Sequence, residues 1–211
     1  MNDAYTSSSA PTAGTPAAGD PKVLDEVAQR VLWLATRIID AANRERNTGD
    51  GVKVGGHQAS SASMVSAMTA LYFAHLDAPD RVSVKPHASP VFHAIQYLLG
   101  NLDRSYLTRL REFGGLQSYP SRTKDPDVVD FSTGSVGLGV AMTSFASLVQ
   151  DYLHLKNLGG GEAPGRMVAV AGDAELDEGN VFEAMLEGWK HDVRNLWWVI
   201  DYNRQSLDSV V

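Results

Sequence analysis

Two continuous apolar runs in the second half of the chain constrain its fold most. "RMVAVAG" (166–172) and "LWWVID" (196–201) are short and uninterrupted, the pattern of strands buried on both faces. Between them lies a helical segment to about Lys190, with Asn180 and Glu183 at the spacing of a capping pair. Strand, helix and strand in that order predict an α/β fold, a parallel sheet with helices on both faces. Ligands of such sheets sit at the carboxyl ends of the strands. Both runs end there in polar groups: Gly172-Asp173 in "GDAELDE", and Asp201, Asn203 and Gln205 in "DYNRQ".

Upstream, residues 22–47 read as a helix with Leu24, Val27, Val31, Leu34, Ile38 and Ala42 on one stripe. The glycine-rich loop "VGGHQASSAS" follows, with Ser60 or Ser61 as the cap of a helix over 62–75 that carries Val65, Met68 and Tyr72 on one side. "RVSVK" (81–85) is a strand, and helices are expected near 89–99 and 103–112. After the polar loop "GGLQSYPSRTKDPD", a long helix over 137–156 carries Val140, Ser144, Phe145, Leu148 and Tyr152. Trp197 and Trp198 are expected to fill core. The first twenty residues are mostly Ser, Thr, Ala, Pro and Gly, which predicts a disordered tail over 1–21 and one domain over 22–211.

A net charge of −7 argues against nucleic acid or an anionic membrane as the main partner. No apolar stretch reaches the ~20 residues of a membrane helix. The absence of cysteine removes thiolate metal sites and cysteine nucleophiles. What remains is oxygen chemistry. If the two strands are neighbours, Asp173 and Asn203 meet around one hard cation such as Mg²⁺ or Ca²⁺, and a metal-bridged diphosphate is the implied ligand. Glu175, Asp177 and Glu178 fit equally well as carboxylates at a helix N-terminus. His57, in a Gly-Gly-His loop, and His87, in "KPHASP", are either exposed bystanders or groups that move protons near a diphosphate. "STGSVGLG" (132–139) can bring backbone N–H groups near a phosphate.

Taken in order, "GGHQASSAS", "HASPVFHA", "GGLQSYPS", "STGSVGLG" and "GDAELDE", with Asn203 thirty positions after Asp173, resemble the thiamine diphosphate-dependent transketolase superfamily. The match is closest to the homodimeric type of pyruvate dehydrogenase, its decarboxylating component, and covers about Val52 to Val211. The resemblance implies the diphosphate-binding domain of the thiamine diphosphate-binding fold, with Asp173, Asn203 and the Gln205 carbonyl as Mg²⁺ ligands. It implies that His57, Ser60 and His87 line the diphosphate and the reacting centre, that Tyr119 lies near the substrate, and that Val136 backs the cofactor rings. Ser135, Gly172, Ala174 and Glu175 join the cofactor-binding set, and His57, His87 and Tyr119 the catalytic one. The implied reaction is decarboxylation of a 2-oxo acid with acyl transfer to a lipoyl arm. The alternatives are transketolase-like ketol transfer and a non-catalytic structural or regulatory remnant. By the same resemblance the domain is incomplete, other domains on this or a separate chain complete the site, and the enzyme is oligomeric; a cytoplasmic protein fits the lack of cysteine. A homodimer or hetero-oligomer is expected, with a lipoyl acyltransferase core as partner. Three places depart from the family: Ala174 stands for Gly, Lys85-Pro86 for a neutral donor and Gly, and Asp201 for Asn. A different 2-oxo acid, such as 2-oxobutanoate, is consistent with them.

Overall fold

The computed structural model describes residues 19–46, 49, 51–56, 58–158, 163–206 and 209–210, with backbone alone from 205 onward. Its centre is a parallel sheet in the order β1-β2-β3, formed by β1 (Arg81–Ser83), β2 (Met167–Gly172) and β3 (Leu196–Asp201). In register, Ser83 lies opposite Ala169, and Gly172 opposite Asp201. A short antiparallel pair, β4 (Gln205–Ser206) and β5 (Ser209–Val210), follows. The helices are α1 (Pro21–Arg44), α2 (Gln58–Ala62), α3 (Val65–Ala70), α4 (Ser89–Leu98), α5 (Leu138–Leu155) and α6 (Gly179–Lys190).

The alternation of β2 sorts the helices into two layers. Val168 and Val170 point into a core built from α1, α3 and α4, which includes Val31, Ile38, Met68 and Ile95. Each of these last four side chains is 0–1% exposed and contributes about 1.5–3 kcal/mol by leaving water. Ala169 and Ala171 point the other way, against Val140 of α5 and Val181 of α6. Helices therefore cover both faces. The predicted stripe of α1 is borne out over Val31, Ile38 and Ala42, and the Asp20 carboxylate caps the helix by accepting the Lys22 N–H at 2.9 Å.

The second layer differs from the predicted pattern. The buried face of α5 is Gly139, Val140, Ala141, Thr143, Ser144 and Ser147, whereas Phe145, Val149, Tyr152 and Leu155 are exposed. The helix runs so close to the sheet that a Cβ on Gly139 would lie 2.3 Å from the Ser83 hydroxyl. Only small side chains fit. The hydroxyls are satisfied internally: Thr143 and Ser144 donate to the Val140 carbonyl at 2.8 and 3.2 Å, and Ser147 donates to Asn195.

Four local expectations are corrected. The helix expected from residue 62 begins at Gln58, breaks at 63–64 and ends in a π turn at Leu71–His75, so Ser60 and Ser61 lie inside α2 and cap nothing. Residues 103–112 form only a 3-10 turn, Arg104–Thr108, because the Asp103 carboxylate takes the Ser105 N–H at 2.8 Å and starts a short turn there. Glu178, not Asn180, sits at the cap position of α6, and the buried Asn180 Oδ1 has no hydrogen-bond partner among the described residues. Trp198 is half-buried, but Trp197 is 43% exposed beneath the Arg166 guanidinium, 4.6 Å from the ring centre. Among the described residues, no helix is long and apolar enough to cross a membrane.

The loop between α4 and α5 is held by a buried clamp. His93, 0% exposed on α4, has Nδ1 2.7 Å from Asp127 Oδ2 and Nε2 2.9 Å from the Gln117 carbonyl. With Asp127 ionised, both partners only accept, so both ring nitrogens donate and the ring is an imidazolium. Asp125 takes the N–H groups of Gln117 and Ser121 at 2.7 and 2.8 Å. His93, Asp125 and Asp127 are near enough together to suit a metal ion, but a doubly donating imidazolium has no lone pair to offer one. Burial opposes the ring's charge, yet the hydrogen bond and charge of Asp127 raise its pKa above the ordinary 6.5. Stability from the pair is complete below about pH 6.5, the unfolded value, and is lost as pH rises through the elevated folded value. In urea denaturation across neutral pH, the stability difference between wild type and His93→Gln is expected to shrink as pH rises. A difference that stayed constant would show that the ring is neutral.

Candidate functional site

The parallel register brings three strand ends to one edge. Asp173, one residue beyond β2, is 4% exposed. Its Oδ1 accepts the Ala174 N–H at 3.0 Å and its Oδ2 the Arg204 N–H at 2.7 Å. The second bond docks the turn after β3 onto Asp173, with Arg204 held at φ 59°, a left-handed conformation that costs a non-glycine residue free energy. Asn203 thereby stands beside Asp173. Among the described residues no cationic side chain forms an ion pair with Asp173.

Asp201, the last residue of β3, is a hub. Its Oδ2 lies 2.5 Å from Lys85 Nζ, 2.6 Å from Ser63 Oγ and 3.1 Å from Asn203 Nδ2. With Nδ2 committed to Asp201, the ligating atom that the Asn203 amide offers is Oδ1. Asp173 carboxylate, Asn203 amide oxygen and the backbone carbonyl of Gln205, two residues on, are all oxygens, the donor chemistry of a hard divalent cation.

Glu175 ties the glycine-rich loop to the strand end. Its two oxygens accept the Gly172 N–H at 3.0 Å and the Gly137 N–H at 2.9 Å. Gly137 has φ +76°, and a Cβ there would lie 2.8 Å from Asn180 Oδ1, so the close approach requires glycine. The N–H groups of Thr133 and Leu138 are also spent, on the carbonyls of Pro120 and Ser135. Much of "STGSVGLG" thus closes on the protein itself. Ser135 and Val136 remain exposed at its tip. Asp177 and Glu178 are exposed at the start of α6, where the helix N-terminus accounts for them.

His87 and Tyr119 line one small cleft of about 40 Å³, together with Gly56, Arg111 and Ser118. That is space for roughly one water. His87 is exposed in the 3-10 turn Pro86–Ala88, and Tyr119 is 46% exposed. Ser60 lies in α2, its carbonyl 3.1 Å from Ser63 Oγ, whose one proton goes to Asp201. His57 lies outside the described residues, as does the side chain of Gln205. The sequence signalled neither Ser63 nor Arg111. Arg111, at φ 57°, donates to the Val54 carbonyl at 2.7 Å and holds the glycine loop in place.

The departures from the family pattern are absorbed locally. Ala174 does not have a positive φ, so no glycine is needed there. Pro86 occupies the first position of its turn, after Lys85 at φ −57°, ψ 138°, the extended backbone that proline favours in the preceding residue. Lys85 and Asp201 pair with each other.

The fold is that of the transketolases. The chain superposes on transketolase from Campylobacter jejuni with a TM-score of 0.75, at 23% identity over 90% of this chain and 30% of that one. Transketolase from Leishmania mexicana gives 0.76, at 22% identity over 88% and 28%. Residues 42–211 match the family profile described as 1-deoxy-D-xylulose-5-phosphate synthase, and the chain belongs to that family, within the thiamine diphosphate-dependent transketolase superfamily. It is 31% identical to the pyruvate dehydrogenase E1 component of Cupriavidus necator and 32% identical to that of Mycobacterium tuberculosis, over 92% of this chain in both cases. It spans 22% and 21% of those two proteins. The resemblance drawn from the motifs is borne out.

Replacing Glu175 by Ala strands two N–H groups at the base of the edge. The expected cost is about 1–3 kcal/mol for each one left without an acceptor, read as a lower urea midpoint. An unchanged midpoint would show that water replaces the carboxylate.

Proposed function

We propose that residues 22–211 are the diphosphate- and Mg²⁺-binding domain of a thiamine diphosphate-dependent 2-oxo acid dehydrogenase of the pyruvate dehydrogenase type, with residues 1–21 a tail. One observation carries the reading: Asp173 is a buried carboxylate at a parallel-sheet edge, solvated only by backbone N–H groups and forming no ion pair among the described residues. A buried carboxylate without a counter-charge is costly unless a cation joins it. In this reading Asp173, Asn203 and the Gln205 carbonyl hold Mg²⁺, which neutralises the diphosphate. Thiamine diphosphate, when bound, supplies the electron sink for decarboxylation.

The chain's own groups orient and move protons. His57 and His87 serve as proton donors and acceptors near the reacting carbon, Ser60 donates to the diphosphate, and Tyr119 orients the 2-oxo acid. Ser135, Val136, Gly172, Ala174 and Glu175 shape the cofactor's seat, Glu175 by fixing the Gly137 turn to the end of β2 rather than by touching the diphosphate. The small cleft at His87 and Tyr119 supports this as one wall of a site whose other wall belongs to another domain or subunit. The full reading is a cytoplasmic, oligomeric enzyme that passes the acyl group to a lipoyl arm of an acyltransferase core.

Asp173→Ala in the complete enzyme is expected to abolish Mg²⁺-dependent binding of thiamine diphosphate, measured by titration calorimetry. Unchanged affinity would overturn the metal assignment. His57→Ala and His87→Ala are each expected to slow turnover by about 10²-fold or more, as for acid–base groups, with little change in thermal midpoint. Assays of CO₂ release from pyruvate and 2-oxobutanoate, beside ketol transfer from a sugar phosphate, separate the dehydrogenase from a transketolase-like activity. Cofactor binding without either turnover would favour a structural or regulatory role.

A further inference from the structure

The ion pair between Lys85 and Asp201 sits where a catalytic edge would not be expected to need one. Its side chains are 3% and 9% exposed, and its N–O distance is 2.5 Å. Lys85 is too buried to meet a ligand directly. Its charge acts on Asp201, and Asp201 acts on Asn203. The Asp201 carboxylate can only accept, so the Asn203 atom 3.1 Å away is the amide nitrogen, and the amide is locked in one of its two orientations. The locked orientation is the one that presents Oδ1, the only side-chain atom of Asn203 able to ligate a hard cation.

The network is anchored from three parts of the chain: Ser63 between α2 and α3, Lys85 just after β1, and Asn203 just after β3. A lone carboxylate here would compete with Asp173 for the cation, because it would be a second buried negative charge at the same edge. Lys85 cancels that charge and, with Ser63 and Asn203, holds the carboxylate by its Oδ2. A lone ammonium here would repel the cation.

We propose that the Lys85–Asp201 pair is a positioning device for the metal ligand Asn203: Asp201 fixes the amide, and Lys85 keeps Asp201 from acting as a ligand itself. The inference rests on the functional reading given above. The sequence displays the pair only as two separate departures of opposite charge at two strand ends; the structure makes them one unit.

The test is the affinity for Mg²⁺ at saturating thiamine diphosphate, measured by titration calorimetry on the complete protein with all its domains or subunits. Unfolding midpoints are recorded alongside. Lys85→Gln and Asp201→Asn, each leaving one uncompensated charge, are expected to weaken Mg²⁺ binding about 10-fold or more. The double variant K85Q/D201N is expected to recover to within about threefold. Its two introduced amides can hydrogen-bond to each other, and the amide oxygen at position 201 can still accept from Asn203. A purely structural pair would move the unfolding midpoints and leave Mg²⁺ affinity unchanged in the folded protein; that outcome overturns the proposal. Asn203→Asp leaves the ion pair intact and guards against a folding failure in the other variants. It places two carboxylates face to face, so Mg²⁺ affinity is expected to fall even though a carboxylate is the stronger ligand for a hard cation. Tighter Mg²⁺ binding by that variant overturns the proposal. If the wild type binds neither Mg²⁺ nor thiamine diphosphate, the functional reading fails and takes this one with it. If the wild type binds both and the variants match it, this one fails alone.

Discussion

Everything else in the molecule follows from the hydrogen bonding of β2 on both of its edges. A strand paired with β3 along its whole length and with β1 over Met167–Ala169, parallel to both, has little free edge and no solvated face. Its side chains must then serve two cores at once, Val168 and Val170 one way, Ala169 and Ala171 the other. Parallel direction has a second effect. It delivers the ends of β1, β2 and β3 to the same side, which brings Lys85, Asp173, Asp201 and Asn203 together although they are far apart in the sequence.

Three carboxylates at that edge have different work. Glu175 is consumed by two backbone N–H groups and fastens one loop to another. Asp201 is consumed by an ammonium, a hydroxyl and an amide. Among the described residues, Asp173 alone is met only by backbone dipoles. That difference in counter-charge, rather than the density of acidic residues, sets Asp173 apart from the other two.

The strands, the sheet direction and the strand-end residues were legible because continuous apolar runs and the order of elements are strong local signals. The tethering of Asp173 by Arg204 was not, since it depends on the left-handed backbone of a non-glycine residue. The capping role predicted for Asn180 failed because the spacing of a capping pair is satisfied by many sequences, and here the cap falls two residues earlier, at Glu178. The motif positions fared better as a set than singly. His87 and Tyr119 share a cleft although 32 residues apart, which only the tertiary fold can arrange. The roles of Ser63 and Arg111 were invisible because each acts through one long-range bond, to Asp201 and to the Val54 carbonyl.

The buried face of α5 inverts the usual rule for what a helix tolerates. Gly139, Ala141, Thr143, Ser144 and Ser147 set the distance between helix and sheet, while Phe145, Val149 and Tyr152 look outward. A change that lengthens an inward side chain would push the whole layer, including the Gly137 turn that Glu175 holds, off the strand end. A polar replacement on the outward positions would leave that spacing untouched. Along this helix the exposed hydrophobic residues are the replaceable ones, and the hydroxyls and the glycine are the gauge that keeps the strand-end edge in alignment.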